Sequence, residues 1–203
     1  MLEGKTIAVI GGTGKLGGAL AGRWIKAGLK VVIGSRSGMP YADAAAAADI
    51  LVVTVPYAAQ ADALAQIAPH ARGKIVVDTT VPLVPPKVMR AQLPPEGSAA
   101  LRAQALLGDG VTTISAFHNV AAHKLATDDA VDCDVLVFGD DKAGRSVGVA
   151  LARAAGLRGL HAGALANSAA AEAMTSVLIF MNRTYRVDGA GLRVTGTLVD
   201  PDA

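Results

Sequence analysis

A glycine-rich hexapeptide, Gly-Thr-Gly-Lys-Leu-Gly at residues 12–17, constrains the fold of this chain more than any other feature. It follows an apolar run at residues 6–10 and opens a segment, residues 15–27, whose apolar residues have helical spacing. In such a strand–turn–helix, Gly12 allows the tight turn, Gly14 lets a pyrophosphate approach the backbone, and Gly17 lets the helix close on the strand. The helix N-terminus adds positive potential and free N–H groups. The motif therefore predicts a dinucleotide-binding unit of the Rossmann type.

Short apolar runs recur along the chain in a pattern typical of a parallel sheet. They are continuous rather than alternating, as expected of strands covered on both faces, and helical segments separate several of them. Hydrophobic residues make up 52% of the chain and aromatic residues 3%, so the core must be mainly aliphatic. The predicted strands are residues 6–10, 30–33, 50–55, 74–77, 111–115 and 134–138, and the clearest helices are residues 15–27, 58–67 and 142–154. This pattern predicts an α/β fold with a doubly wound parallel sheet that binds its ligand beyond the carboxyl ends of the strands.

Two regions depart from the alternation of strands and helices. Five prolines between residues 81 and 97 disfavour regular structure and predict a loop over the edge or crevice of the sheet. After residue 163 the pattern changes to one long helix, residues 167–185, and a glycine-rich tail with a short strand at residues 192–197. We therefore predict a Rossmann domain over residues 1–162 and a small, mainly helical C-terminal subdomain over residues 163–203.

The end of the second predicted strand indicates which dinucleotide is bound. An NAD site normally places Asp or Glu there, where it binds the ribose 2′-hydroxyl, but this chain has Gly34, Ser35 and Arg36. A carboxylate would repel a 2′-phosphate, whereas a hydroxyl and a guanidinium suit one. These residues favour NADP over NAD; the alternative is that Arg36 is an ordinary solvated loop residue.

Charge and cysteine content argue against several other classes of protein. The chain has 19 basic and 17 acidic residues, a formal net charge of +2 and no basic run, so no nucleic-acid partner is expected. No segment reaches the ~18–20 uninterrupted apolar residues of a membrane span, and the N-terminus lacks a signal-peptide pattern, so a cytoplasmic protein is expected. A single cysteine, Cys133, excludes an internal disulfide. No spacing of residues predicts a metal site or a Ser–His–Asp arrangement.

These motifs together resemble a known family, the NADPH-dependent reductases of the deazaflavin coenzyme F420. The similarity covers most of the chain and lies in GGTGKLG at residues 11–17, IGSR at 33–36, TVP at 54–56, SAFHNVAA at 115–122, FGDD at 138–141 and AGLRVTG at 190–196. The first and third motifs are shared by many Rossmann enzymes; the second, fourth and last are more specific. The resemblance implies hydride transfer between NADP(H) and coenzyme F420, a diffusible co-substrate that enters a cleft between the Rossmann part and the C-terminal part.

The resemblance also assigns roles to individual residues. It implies that the NADP phosphates bind Thr13, Gly14, Lys15 and Leu16, and that the 2′-phosphate binds Ser35 and Arg36. The path from adenosine to nicotinamide would be lined by Val55, Pro56 and Val81. The two reacting rings would be flanked by His118, Val120 and Ala122, and Thr175 with the AGLRVTG tail would help form the wall of the second cleft.

One segment departs from the family pattern. Members usually carry a helix and another basic residue after the IGSR segment, whereas here residues 37–40, Ser-Gly-Met-Pro, lead almost at once to Asp43 and the next strand. NADP affinity and NADP preference are the expectations that this departure weakens.

The candidate catalytic residues are His118 and Val120. His118 follows a predicted strand, at the edge of the sheet where ligands bind. It could donate a hydrogen bond to a deazaflavin oxygen or ring nitrogen; the alternative is a structural histidine. Hydride transfer between two flat rings mainly needs the donor and acceptor carbons held ~3–3.5 Å apart, so a dedicated acid–base residue is optional.

Two other functions and one assembly remain open from the sequence. The protein could reduce a different acceptor with NADPH, such as a flavin, quinone, ferric chelate or imine, or it could sense NADP without turnover. The apolar stretch at residues 174–181 is interpreted first as core or as the seam of a homodimer, and second as a wall of the cofactor site.

Overall fold

Strands and helices alternate along residues 1–199, the part of the chain that the computed structural model describes. The strands are β1 (Thr6–Ile10), β2 (Lys30–Gly34), β3 (Ile50–Val53), β4 (Ile75–Asp78), β5 (Thr112–Ser115), β6 (Asp134–Val137) and β7 (Arg158–His161). The helices are α1 (Lys15–Lys26), α2 (Tyr41–Ala46), α3 (Gln60–Ala71), α4 (Ala99–Leu107), α5 (Ala122–Leu125), α6 (Lys142–Ala154) and α7 (Ser168–Tyr185). Short 3₁₀ turns at Tyr57–Ala59 and Leu165–Asn167 precede α3 and α7.

The first five strands form one parallel sheet in the order β2-β1-β3-β4-β5. From β1 the chain crosses to β2 on one side and then returns to add β3, β4 and β5 on the other. The connections therefore change direction between β1 and β3, and the crevice at a change of this kind is where such sheets bind ligands. The predicted doubly wound α/β fold is confirmed.

Each face of this sheet has its own hydrophobic core, because successive side chains of a strand point to opposite faces. Ile7 and Val9 of β1 belong to a cluster with α1 and α6 that contains Trp24 and Leu151. Ala8 and Ile10 belong to a second cluster with residues of α2, α3 and α4. Aliphatic side chains fill both layers, as the composition predicted, and they hold the carboxyl ends of the strands in one line.

The predicted sixth strand does not extend the main sheet. It pairs in parallel with β7, which the sequence analysis missed, to form a separate two-stranded sheet. One pair of backbone hydrogen bonds joins the two sheets, from Ser115 N to Phe138 O and from Phe138 N to Ser115 O, both 2.9 Å long. Gly139 follows at once, and a Cβ there would lie 2.6 Å from Ile114 Cδ1, so the chain passes close to β5 at this point.

Three helices are also additions to the prediction, namely α2, α4 and the short α5. The segment after Pro40 does not run directly into the next strand but forms α2, whose residues Ala44 and Ala45 are buried. Helix α4 follows the proline-rich stretch, which is irregular as predicted. Helices α2 and α4 cover the same face of the sheet as α3.

The C-terminal part consists of α7 and an irregular tail. Helix α7 packs against α4. The strand predicted at residues 192–197 is wrong: the tail bonds partly to side chains, with Val194 N donating to Asp134 Oδ2 at 2.6 Å and Arg158 Nη2 donating to Val194 O at 2.8 Å, so no ladder forms. None of the helices within the described residues has the length and apolarity needed to cross a membrane.

Candidate functional site

The glycine-rich turn leaves the first amides of α1 available to a ligand. Gly11 takes a left-handed backbone with φ +85°, which turns the chain sharply out of β1. Gly14 is the N-cap of α1, and its amide donates to Gly11 O at 2.9 Å. Because Gly14 has no side chain to cap the helix, the next amides, from Lys15 onwards, face outwards with the positive end of the helix dipole. This geometry suits a phosphate group.

Gly12 and Gly17 are required by close packing. A Cβ at Gly17 would lie 2.4 Å from Thr54 Oγ1 and 2.8 Å from Gly12 Cα, and a Cβ at Gly12 would lie 2.8 Å from Ile33 Cγ2. Helix α1 therefore sits directly on the turn and on the end of β3, so the first amides of α1 are held rigidly against the sheet.

The end of β2 forms a short closed turn that presents Arg36 to solvent. Ser35 N donates to Met39 O at 2.9 Å, and Ser35 is 5% exposed. Gly38 lies against Ser35, because a Cβ there would be 2.9 Å from Ser35 Oγ. Arg36 is exposed and has no hydrogen bond or ion pair with any of residues 1–199. Its guanidinium is thus free to bind an anion at this end of the sheet.

The ends of β3 and β4 lie between this turn and β5. Thr54 fixes the end of β3, since its N and Oγ1 donate to Ile10 O at 2.8 and 2.9 Å. Val55 is buried beside Gly11, whose Cβ would lie 2.8 Å from Val55 Cγ1. Pro56 is exposed, and Val81 is half-buried beyond β4. These side chains border the crevice on the side opposite to Arg36.

His118 lies beyond the end of β5, on a tight turn. Phe117 adopts a left-handed backbone with φ +65°, which is rare for a residue other than glycine. The turn places the Phe117 ring in the core, edge-on to Trp24 with a centroid distance of 6.1 Å. It places His118 back over β5, where its Nε2 lies 2.7 Å from Ser115 Oγ. Burial lowers the pKa of His118 to about 4, so the imidazole is neutral near pH 7.

Helix α7 is bonded to this same turn. Thr175 Oγ1 donates to His118 O at 3.0 Å, and Asn119 Nδ2 donates to Ala171 O at 2.9 Å and to Thr175 Oγ1 at 3.0 Å. The structure thus brings together His118 and Thr175, two of the residues predicted for the site, through the backbone of the turn. Asn119 was missed in the sequence, although it follows His118 directly.

The other two residues predicted near the reacting rings are half-buried. Val120 packs against the core cluster that contains Trp24, and Ala122 is the first residue of α5. The C-terminal tail lies over this segment, because a Cβ at Gly189 would be 2.7 Å from Ala121 Cβ. Among residues 1–199, no three His, Cys, Asp or Glu side chains converge on a point that could hold a metal ion.

Comparison with known proteins agrees with this geometry. Residues 1–90 match the family model of the acetohydroxy acid isomeroreductase NADPH-binding domain. The F420-dependent NADP reductase of Methanothermobacter thermautotrophicus is 38% identical over 93% of this chain and 94% of its own length. That of Methanocaldococcus jannaschii is 34% identical over 93% of this chain and 97% of its own. The chain belongs to the F420-dependent NADP reductase family.

A solved structure shows the same fold. The crystal structure of a candidate F420-dependent NADP reductase from Arthrobacter sp. FB24 is 22% identical and superposes with a TM-score of 0.84 over 95% of this chain and 100% of that one. The likeness at this identity concerns the fold, and it extends through the C-terminal part. The family resemblance and the fold that the sequence predicted are both confirmed.

A buried polar cluster beyond β4 was missed by the sequence analysis. The Asp78 side chain accepts hydrogen bonds from Thr80 Oγ1 at 2.8 Å and from Gln60 Nε2 at 2.8 Å, and Gln60 Nε2 also donates to Ala99 O at 2.9 Å. Asp78 and Gln60 are both fully buried. The only signal in the sequence is that three polar residues, Asp-Thr-Thr at 78–80, directly follow an apolar strand.

Glu172 of α7 extends this cluster to the C-terminal part. Its carboxylate accepts hydrogen bonds from Ala99 N at 2.7 Å and Ala100 N at 3.2 Å, so it caps the first turn of α4. These residues are 73 and 72 positions away from Glu172 in the sequence. Ser168 Oγ donates to Ser98 Oγ at 3.0 Å in the same contact. Burial raises the pKa of Glu172. Polar groups therefore fasten α7 to the Rossmann part beneath the crevice.

Replacing Asp78 with Asn is expected to stabilise the protein increasingly between pH 4 and pH 7. Burial raises the pKa of Asp78 to about 7 from 3.8, and the negative charge of Glu172 adds to this rise. The stability that protonated Asp78 contributes is fully present below pH 3.8 and is lost as the pH rises through about 7. Asn has no proton to lose, so we expect a gain of about 2–4 kcal/mol at pH 8 and a small change at pH 4.

Urea unfolding of both proteins at pH 4, 6 and 8 measures this difference. The lowered pKa of His118 makes the free energy of unfolding increase with pH. This contribution is the same in both proteins, so it cancels in the difference between them. Asp109, an exposed carboxyl, provides the matched control Asp109→Asn, which should give no such trend. A gap between wild type and Asp78→Asn that does not change with pH would contradict the prediction.

Proposed function

We propose that this protein transfers a hydride reversibly between NADP(H) and the deazaflavin coenzyme F420. The observation that carries the proposal is the order of groups along the carboxyl edge of the sheet. The edge carries Arg36 after β2, the glycine-rich turn after β1, Val55 after β3, Val81 after β4 and His118 after β5. This line spans four strand spacings, about 19 Å, and suits an extended dinucleotide that ends beside His118.

The bound dinucleotide is proposed to follow that line from end to end. Ser35 and Arg36 would hold the 2′-phosphate, by a hydroxyl and by a guanidinium that has no protein partner in the described chain. Thr13, Gly14, Lys15 and Leu16 would hold the pyrophosphate on the N-terminus of α1. Val55, Pro56 and Val81 would lie along the path to the nicotinamide. The matching NADPH-binding domain over residues 1–90 supports this placement.

The second substrate is proposed to bind between the Rossmann domain, residues 1–162, and the C-terminal subdomain, residues 163–203. Thr175 and Asn119 fasten α7 to the turn that carries His118, so the wall of this cleft and the candidate catalytic residue are fixed by the same bonds. Val120 and Ala122 would complete the surroundings of the reacting rings. The relatives are F420-dependent NADP reductases, which supports the deazaflavin as the substrate that would enter there.

The protein's contribution to the reaction is orientation. The nicotinamide and the deazaflavin together supply the hydride donor and acceptor. The rigid turn of Gly12 and Gly17 would fix the pyrophosphate in the middle of the dinucleotide, and α7 would form a wall beside the reacting rings. His118, neutral at pH 7, can donate a hydrogen bond to the second ring but has no proton to give up as an acid. Proximity of the two rings then accounts for most of the rate.

The decisive experiment follows the absorbance of oxidised coenzyme F420 after mixing with purified protein and NADPH. Bleaching that requires both protein and NADPH is the expected result, and NADH and free flavin serve as parallel controls. NADPH binding without bleaching of F420 would contradict the proposal. Bleaching of free flavin would then identify another acceptor, and no turnover with flavin, quinone, ferric chelate or imine would identify an NADP sensor.

A homodimer is proposed through the exposed face of α7. Phe180 and Met181 lie three and four residues after Val177, and Tyr185 lies four residues after Met181, so all four share one face of the helix. Their exposed fractions, in chain order, are 45%, 52%, 38% and 69%. A contiguous apolar stripe of this kind is uncommon on a monomer, and a second copy of the same helix would cover it.

Replacing Phe180 with Glu is expected to convert the dimer to a monomer, because each side of the two-fold seam would then bury a charge. Light scattering after size-exclusion chromatography measures the change in mass. Ile25 is 54% exposed on α1, and Ile25→Glu is a matched control that should leave the mass unchanged. A wild-type protein that elutes as a monomer would contradict the proposal.

A further inference from the structure

Ser115, at the end of β5, has one polar group that the fold does not use. Its side chain is fully buried, and its backbone N and O are both bonded to Phe138. The hydroxyl lies 2.7 Å from His118 Nε2 and has no other hydrogen-bond partner among residues 1–199. The hydroxyl and the imidazole therefore form an isolated pair.

The direction of this hydrogen bond follows from burial. If His118 donated from Nε2, the hydroxyl proton of Ser115 would be buried without an acceptor, which is costly. If Ser115 donates, both groups are satisfied. A neutral imidazole has one donor and one acceptor nitrogen, so acceptance at Nε2 leaves the proton on Nδ1. The lowered pKa of His118, which results from its burial, excludes the doubly protonated form at neutral pH.

The Nδ1 atom faces away from this pair. Nδ1 has no hydrogen-bond partner among residues 1–199, and it is not fully buried. It is therefore accessible to solvent or to a ligand. The left-handed turn at Phe117 and the contact with the Phe138 ring, at a centroid distance of 6.1 Å, fix the plane of the imidazole. The ring can therefore present one group to a ligand.

We infer that Ser115 is a positioning residue that fixes His118 in the Nδ1–H tautomer, so that His118 offers a hydrogen-bond donor to a carbonyl oxygen of the second substrate's ring. The inference rests on the proposed function, which supplies that ring. No proton is transferred: the bond becomes stronger as the ring accepts the hydride and its oxygen gains negative charge. An acceptor group on the ring is thus a requirement for productive binding.

Nitrogen-15 NMR of the imidazoles tests the tautomer without any substrate. The His118 signals are identified by their loss in His118→Gln. In the wild type, Nδ1 should carry the proton and Nε2 should be an acceptor, and Ser115→Ala should lose this single tautomer. Thr113 is two residues earlier on β5 and its hydroxyl has no partner, so Thr113→Val is the matched control and should leave the tautomer unchanged. A proton on Nε2 in the wild type would overturn the inference.

Steady-state kinetics test whether the hydrogen bond from His118 to the second substrate contributes to turnover. Ser115→Ala should lower kcat for the deazaflavin about tenfold, the effect of losing one hydrogen bond, and leave the Kd of NADPH within twofold. Ser115→Thr, which keeps the hydroxyl, should recover most of the rate, and Thr113→Val should retain it. An unchanged kcat in Ser115→Ala would overturn the role. A wild type without deazaflavin turnover would reject the proposed function and this role together, whereas the NMR result would still decide the tautomer.

Discussion

Replacing Gly17 with Ala is expected to destabilise the protein by about 2–3 kcal/mol and to weaken NADPH binding at least tenfold. The added Cβ would lie 2.4 Å from Thr54 Oγ1, 2.8 Å from Gly12 Cα and 2.9 Å from Gly11 O. Two of these three atoms belong to the backbone of the glycine-rich turn and cannot rotate away. Helix α1 must therefore move off the turn, which would displace its first amides from the proposed phosphate site.

The same helix provides the matched control. Gly22 has no atom within 4 Å of the position that a Cβ would occupy, so Gly22→Ala should bind NADPH normally and gain about 0.5–1 kcal/mol from the better helix propensity of alanine. Urea unfolding can be followed through Trp24, the single tryptophan, which is buried on α1. Titration with NADPH gives the binding constants. Equal behaviour of the two variants would show that the close packing at Gly17 is unimportant for the site.

The sheet could be predicted from the sequence because its signals are local. Continuous aliphatic runs predicted β1 to β6, and the glycine motif predicted the turn and α1, with bounds that differ by one or two residues. Helix α6 was predicted with the same bounds as observed. In these segments, strand burial, glycine geometry and helix periodicity all indicate the same structure.

The elements that were missed depend on distant residues. Helix α2 lies in an alanine-rich segment without apolar periodicity, and only its burial against the sheet defines it. Helix α4 is capped by Glu172, and the tail is held by Asp134 and Arg158, contacts that join residues 36 to 73 positions apart. No local pattern can reveal such pairs.

The residues of the candidate site also fall into two groups, those that a local motif predicts and those that depend on distant contacts. The place of the glycine-rich turn and of Arg36 could be predicted because each directly follows a strand within a motif; their binding roles stay predictions. The pairing of Ser115 with His118 was not, because it requires the left-handed backbone of Phe117 between them, a conformation that this residue type rarely adopts. The cluster of Asp78 and Glu172 was hidden because its members are 94 residues apart.

Replacing Arg36 with Ala is expected to raise the KM for NADPH about 10- to 100-fold and to leave the KM for NADH nearly unchanged, since only NADPH carries the 2′-phosphate. A hydrogen bond to a charged group contributes about 1.5–3 kcal/mol, which corresponds to this range. The effect should be large because the turn at residues 35–39 holds no second cation. Because Arg36 is exposed and has no partner in the described chain, its loss should not affect folding.

Steady-state kinetics with both nucleotides measure the change in preference. The kcat values should stay constant, because the 2′-phosphate is bound equally in the ground state and the transition state. Arg36→Lys should lie between wild type and Arg36→Ala, since lysine keeps the charge but loses the bidentate geometry. The wild-type preference for NADPH should also decrease with added salt, since the site is exposed.

Arg72 is exposed at the far end of α3, and Arg72→Ala is the control that should change neither KM. Equal losses for NADPH and NADH in Arg36→Ala would show that Arg36 does not bind the 2′-phosphate.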